Sequence, residues 1–398
     1  MLDGEEGRRE DDALGDPYPY PDLIECAEIF EIFFRDSPRV AVRNMGLAEL
    51  FVKHVQQYVP TLALRLLVRA YLKFYAGWRM RGGAVVVDQI AVDRSARVAE
   101  PVTVDTDLAN EQHYGNDPHF FRAHLGPRLK YSACEWPSAG AGGKPCSLGE
   151  AEDYTIAIYQ EKAGLAGLAP GARVLELGCG WGSLSLANAA KFPKLQFVSF
   201  SNSPQQIGFI REQCKERGIT NLAVHVEDYA VFCTDQSVLP SGARARDLFD
   251  AAFAIETIEH ARDIRTLLDA TCKRLKPGAK FFVHSLLHQS ASYLVDGGDW
   301  MGRNFFSGGS ILALNSYFHL LPDGLRVDEM TPVRGHGYSR TLLAFNRALE
   351  REYKPLCARY GVPFVEGFRA FYIVCAEAFS VNDGCEYMVG WYTFVKRA

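Results

Sequence analysis

None of the ten cysteines forms a C-x-x-C pair, and none stands with histidine at the spacing of a zinc site. A metal centre and a disulfide framework are therefore not what organises this chain, and scattered reduced thiols suit an intracellular, cytoplasmic protein. Basic charge is not in excess either. Lys and Arg number 43 against 48 Asp and Glu, a net charge of −5, so no global field invites a nucleic-acid partner. Residues 1–16 are acidic and polar, without the basic and apolar regions of a signal peptide. The longest apolar-leaning stretch, residues 55–77, is interrupted by Arg65, Arg69 and Lys73, which makes it a poor membrane span. Those three stand at i, i+4 and i+8. They form either the solvated face of a packed helix or a basic stripe that rests on an anionic surface. Internal repeats are absent.

What is present is 398 residues, 48% hydrophobic, enough to bury a substantial core. Residues 1–22 end in a Pro/Tyr-rich run and read as a flexible arm. Residues 23–126 read as a mostly helical cap, with helices predicted at 27–34 and 47–75. From about residue 127 the pattern alternates. Strands are predicted at 174–177, 196–200, 223–226, 249–255 and 280–284 with helical segments between them, and a last strand at 387–396. Strands alternating with helices imply an α/β fold, a doubly wound, mostly parallel sheet of the seven-strand type, Rossmann-like. A segment over residues 285–340 is expected to cover an acceptor site.

The run Val174 to Gly182 ends a buried strand in an acid, Glu176, and opens into Gly178, Gly180 and Gly182 before a helix begins at Ser183. Side chains at those glycines would hold a ligand away from the strand-to-helix turn. A dinucleotide fingerprint would read G-x-G-x-x-G with its acid about twenty residues later. Here the acid comes first, where it repels phosphate and attracts a cation. That spacing speaks against a nicotinamide oxidoreductase and for S-adenosylmethionine, which carries an ammonium and a sulfonium but no phosphate.

In a doubly wound sheet the ligand lies beyond the carboxyl ends of the strands. After the second strand, Asn202 and Gln206 could bind ribose hydroxyls through their amides, while Ser203 caps the helix that starts at Pro204. After the third, Asp228 could accept from an adenine amino group with Tyr229 against the ring, or the segment could be a simple turn. After the fourth come Glu256, Glu259 and His260. Two carboxylates and an imidazole at a strand end can take a proton from an amine and stabilise the resulting cation. Acids complementing a helix N-terminus are the structural alternative, and they leave His260 without a role.

Val174 to Gly182, Tyr131 and Ser132, Glu259 and His260, Phe282 to His284, Asp299 to Gly309 and Phe379 to Trp391 together resemble the cyclopropane-fatty-acid-synthase-like methyltransferases. Within that family the similarity is greatest to the plant coclaurine and related benzylisoquinoline N-methyltransferases. It runs from about Asn110 to the C-terminus. The resemblance implies cofactor contacts from Tyr131 and Ser132 at the methionine end, Gly178 and Gly180 beneath it, Asn202 and Gln206 at the ribose and Asp228 at the adenine. It puts Glu259 and His260 beside the nitrogen of a small-molecule amine acceptor, with Glu256 as a second carboxylate. The cyclopropane synthases instead hold a bicarbonate with a cysteine, a glutamate, a histidine and a tyrosine. Glu259, His284 and Tyr338 match that set. The cysteine position is Ala133, with Cys134 displaced by one, although the backbone amide of residue 133 could still serve an anion. Under that alternative the acceptor is an unsaturated lipid chain and the protein touches a membrane surface. An aromatic set at Trp300, Phe305, Phe306, Tyr317, Phe318 and His319 could line either kind of pocket, or belong to the core.

Overall fold

The computed structural model describes residues 52, 55–81, 101–103, 117–140, 144–239, 248–295, 300–306 and 308–398, excluding the side chains of residues 73–81 and 294. The expected arm at 1–22, the helix at 27–34 and the segment 110–116 lie outside them. Helix α1 spans Thr61–Arg81. The helical pattern predicts a start at Leu47, but Pro60 intervenes. A residue before proline is pushed out of the helical region, and Val59 is extended at φ −96°, ψ 121°. Helix α2, Pro118–His124, starts at a proline behind Asp117, whose side chain accepts from the His119 N–H at 2.9 Å. Helix α3, Leu148–Lys162, begins with a capping box between Ser147 and Glu150.

From there strand and helix alternate. The elements are β1 Arg173–Leu177, α4 Ser183–Lys191, β2 Gln196–Ser201, α5 Pro204–Arg217, β3 Leu222–Val226, β4 Phe249–Ile255, α6 Ile264–Lys273 and β5 Leu275–His288. They pair in parallel in the order β3-β2-β1-β4-β5. The order reverses at β1, so the crevice where a doubly wound sheet holds its ligand lies above β1 and β4. A short hairpin, β6 Tyr293–Leu294 and β7 Ser310–Ala313, extends the far end of β5. Strand β8, Leu325–Arg334, and β9, Tyr387–Lys396, complete the sheet, β9 antiparallel to both β5 and β8.

The predicted strands are all there, and the α/β, mostly parallel sheet is the observed one. Strand β8 puts residues 325–334, part of the segment 285–340 expected to cover an acceptor, in the core sheet. Its sequence mixes Arg, Asp and Glu with Pro332, a composition tolerated on a strand that pairs with β9 alone.

Between β8 and β9 come α7 His336–Arg351, α8 Tyr353–Tyr360 and α9 Val362–Ala378. Phe120 and Phe121 of α2, Phe345 of α7, and Phe368 and Tyr372 of α9 are buried together and reach Trp181 of the glycine loop. Each such ring removed from water contributes roughly 1.5–3 kcal/mol, so this cluster fixes the helices over one end of the crevice. Helix α1 lies against α9. Arg65 Nε and Arg69 Nη2 both reach the carboxylate of Glu377, at 2.6 and 2.8 Å. Glu377 is 1% exposed, and a buried carboxylate stripped of its partners costs about 3–5 kcal/mol. At these two positions the basic stripe forms an ion-paired seam with Glu377, from which Arg69 remains 46% exposed to solvent. The side chain of Lys73 is outside the described residues.

Candidate active site

One crevice above the strand ends collects the glycine loop (Gly178, Gly180, Trp181), Glu176, the turn after β2 (Asn202, Gln206), the turn after β3 (Asp228, Tyr229), the end of β4 (Ile255, Glu256, Thr257, His260) and Lys130 to Ser132. Of the predicted site residues, Tyr131, Ser132, Glu176, Gly178, Gly180, Asn202, Gln206, Asp228, Tyr229, Glu256 and His260 stand on its wall. Gly182, Glu259, His284 and Tyr338 do not. Gly182 precedes α4 at φ +80°, and a Cβ there would come within 2.7 Å of Ile210, so its smallness serves the contact between α4 and α5.

The polar groups along the crevice are held in place by one another. Gln206 Oε1 accepts from the Ser201 hydroxyl at 2.7 Å, which turns the amide nitrogen Nε2 away. That nitrogen is buried without a partner among the described residues. The Trp181 indole nitrogen is in the same condition. Two buried donors left over on one crevice wall call for a ligand with acceptor atoms, because each orphan costs about 1–3 kcal/mol. Asp228 caps the short helix Tyr229–Phe232; its Oδ1 accepts from Ala230 N–H at 2.7 Å and from the Thr103 hydroxyl at 2.8 Å. Asp228 is thus a helix cap that also stands on the crevice wall. The Tyr229 hydroxyl is hydrogen-bonded to Thr257, tying the β3 turn to the end of β4. Glu176 is 6% exposed, and burial lifts its carboxyl to about 7 although the Ser185 and Ser199 hydroxyls both donate to it.

At the other end of the crevice the two carboxylates after β4 part company. Glu256 has φ +46°, a left-handed backbone that turns its side chain into the crevice. Its N–H donates to the His284 carbonyl at 2.7 Å, and its Oε1 accepts from the Ala133 N–H, also at 2.7 Å. His284 Nε2 approaches the same oxygen to 3.0 Å, off the ideal hydrogen-bond line. Glu259 faces the other way. Its Oε1 accepts from the Ser285 hydroxyl at 2.8 Å and from the Leu286 N–H, and the group is 1% exposed. Burial first, and then the charge of Glu256, raise Glu259 to about 7. Of the two carboxylates expected beside an acceptor, Glu256 is on the crevice wall and Glu259 is behind it. His260 remains on it, packed edge-on against Phe306 at 5.1 Å, and burial lowers its imidazole to about 4, so it is neutral at physiological pH.

Tyr338 packs on Phe379 at 4.6 Å, off the wall. Within the aromatic set, Phe306 packs against His260, a predicted site residue. Phe305 is stacked on Phe371 and Tyr317 lies in the core, whereas Phe318 is 52% exposed. Lys130, Trp181 and Thr257 also stand on the wall and are not among the residues the sequence points to, whereas the backbone amide of Ala133 is. Lys130 alone carries a signal, a lysine next to Tyr131 and Ser132.

Glu259 has a consequence for stability. Its carboxyl titrates near 7 when folded, above the ordinary value of 4.5, so its stabilising share is complete below about 4.5 and is lost as pH rises through 7. Thermal unfolding of the wild type should therefore fall between pH 5.5 and pH 8 by more than that of Glu259→Gln, whose amide keeps the shape without the charge. Equal slopes would show that Glu259 ionises as easily folded as unfolded.

Residues 104–385 match the mycolic acid cyclopropane synthetase family, well over half of the chain. The chain belongs to this family. Among curated relatives, (S)-coclaurine N-methyltransferase of Papaver somniferum is 28% identical over 292 residues, 70% of this chain and 78% of that protein. The enzyme of the same name from Thalictrum flavum subsp. glaucum is 24% identical over 380 residues, covering 91% and 99%. Among solved structures, coclaurine N-methyltransferase bound to N-methylheliamine and SAH superposes with a TM-score of 0.73 at 20% identity, over 89% of this chain and all of that one. This member of the cyclopropane synthetase family is an S-adenosylmethionine-dependent methyltransferase with a Rossmann-like fold. Among its described residues no helix is long and apolar enough to cross a membrane.

Proposed function

We propose that the enzyme methylates the nitrogen of a small amine and that Glu256 is the base. The observation that carries this reading is the carboxylate of Glu256 on the crevice wall, with one oxygen fixed by the Ala133 N–H and approached by His284. S-adenosylmethionine supplies, when bound, a methyl group on an electrophilic sulfonium. Gly178 and Gly180 would lie beneath it, Asn202 and Gln206 at its ribose, Asp228 and Tyr229 at its adenine, and Tyr131 and Ser132 at its methionine end. Glu256 attracts an ammonium, removes its proton to free the lone pair, and then faces the methylated cation. Neutral His260 places no competing charge beside that cation. The relatives named for amine substrates support the same choice.

The Glu256 carboxylate also bears on the alternative. His284 and the amide of residue 133 are two of the groups expected to hold a bicarbonate, and both are directed at Glu256. The chain thus supplies its own carboxylate where a cyclopropane synthase would need a bound anion. We further propose that the helical region before residue 126 and the residues between β5 and β8 cover the acceptor and exclude water, which strengthens the attraction of Glu256 for a cation.

Purified enzyme given methyl-labelled S-adenosylmethionine should transfer label to 1,2,3,4-tetrahydroisoquinoline or phenethylamine. It should leave vesicles of unsaturated phosphatidylethanolamine unlabelled. Label in the vesicle acyl chains instead would overturn the amine reading.

A further inference from the structure

Helix α3 contributes a residue to the site that its sequence pattern hides among core positions. Tyr159 is completely buried, and its hydroxyl is hydrogen-bonded to Nδ1 of His284, whose other nitrogen stands 3.0 Å from Glu256 Oε1. Three side chains from three elements, α3, β5 and the turn after β4, form a line that ends on the crevice wall. We propose that Tyr159 is a positioning residue for the methyl-transfer base: its hydroxyl fixes His284 as the tautomer with hydrogen on Nε2, and that polar N–H, 3.0 Å from Oε1 though off the ideal hydrogen-bond line, attracts the Glu256 carboxylate and biases its orientation. The proposal rests on Glu256 being the base, and its test is chosen to stand apart from that reading.

The direction of each hydrogen bond follows from what the groups can do. An ionised carboxylate only accepts, so Nε2 must carry the hydrogen if it is to be attracted to Oε1. Neutral imidazole has one N–H, which leaves Nδ1 as an acceptor and makes the Tyr159 phenol its donor. The imidazole is neutral because burial lowers its proton affinity, with the nearby charge of Lys130 acting in the same direction and Glu256 in the opposite one. The phenol stays protonated, its ionisation pushed well up by burial first and then by the nearby carboxylate of Glu256. Lys130 lies over the Tyr159 ring at 5.2 Å and donates to the Ser132 hydroxyl and the Ala133 carbonyl, which anchors the segment whose N–H meets Glu256. Tyr338, Glu259 and Cys134 also feel the charge of this carboxylate.

Without the hydroxyl, nothing on the far side of the ring dictates which nitrogen carries the hydrogen. A phenylalanine keeps the ring packed against Phe282 at 5.3 Å and Trp391 at 6.5 Å, so Tyr159→Phe isolates the hydroxyl from the packing. In protein labelled with ¹⁵N-histidine, the His284 signal, assigned through His284→Gln, should show hydrogen on Nε2 and a hydrogen-bonded Nδ1 in the wild type. In Tyr159→Phe the Nδ1 resonance should move downfield or the Nδ1–H tautomer should appear. An identical spectrum in both proteins, or a wild type with hydrogen on Nδ1, overturns the proposal. Methyl transfer to 1,2,3,4-tetrahydroisoquinoline should fall about tenfold in Tyr159→Phe with S-adenosylmethionine affinity retained, well within what base positioning controls. In a His284→Gln background the same change should cost nothing further, because no imidazole is left to orient. Full additivity of the two losses would equally overturn it. If no amine is methylated while the spectra change as expected, the assignment of the reaction fails and the tautomer relay stands.

Discussion

Glu256→Gln is expected to slow methyl transfer to an amine by about 10²–10⁴-fold while leaving S-adenosylmethionine binding within a few-fold of wild type, the range a positioned general base contributes. Glutamine fits the same space and can still accept from the Ala133 N–H, so the loss isolates charge and basicity from shape. The backbone argues for function as well. A non-glycine residue at φ +46° costs of order 1–3 kcal/mol, a cost maintained here by the Glu256 N–H bond to the His284 carbonyl. Glycine would occupy that conformation without strain, yet the chain places there a carboxylate that enters the crevice. Single-turnover transfer rates combined with calorimetric titration of the cofactor separate the two effects. A Glu256→Gln enzyme with wild-type turnover, beside a Glu259→Gln enzyme that has lost it, would return the role to Glu259.

The parallel sheet and its crevice were legible because their signals are local and periodic. Val174 to Leu177 reads as a buried strand, and the acid and glycines that follow read as a ligand turn with no phosphate. Gln206 could be named for a ribose because it lies one turn into a helix that directly follows a strand. The division of labour between Glu256 and Glu259 was not legible. Both lie within five residues of one strand end, and only the left-handed backbone at Glu256 sends one into the crevice while the other meets Ser285 and Leu286 of β5. Tyr159 was hidden for a related reason. A tyrosine on the buried face of an amphipathic helix looks like packing until the partner of its hydroxyl is known, and that partner is 125 residues away. Edge strand β8 escaped because a strand paired on one side keeps charges and a proline that strand patterns exclude.

Gly180→Val is expected to weaken S-adenosylmethionine binding at least about a hundredfold, roughly 2.7 kcal/mol, with a smaller loss of stability. Gly180 lies at φ +51°, where a side chain costs about 1–2 kcal/mol, and a Cβ there would meet no protein atom within 4 Å. A valine at this position on the crevice wall therefore finds room only in the space a ligand needs. Gly178 behaves oppositely. A Cβ on it would come within 2.0 Å of the Thr257 hydroxyl and 3.0 Å of the Tyr229 hydroxyl, so Gly178→Ala breaks the bond that joins the β3 turn to β4. It should lower the melting temperature more than Gly180→Val does. Equilibrium dialysis with labelled cofactor and thermal unfolding of both variants test the contrast, because the two glycines share a loop and a backbone region but not a neighbour. Wild-type affinity in Gly180→Val would place the cofactor elsewhere in the crevice. Equal melting temperatures would mean that Thr257 and Tyr229 yield to the added methyl at little cost.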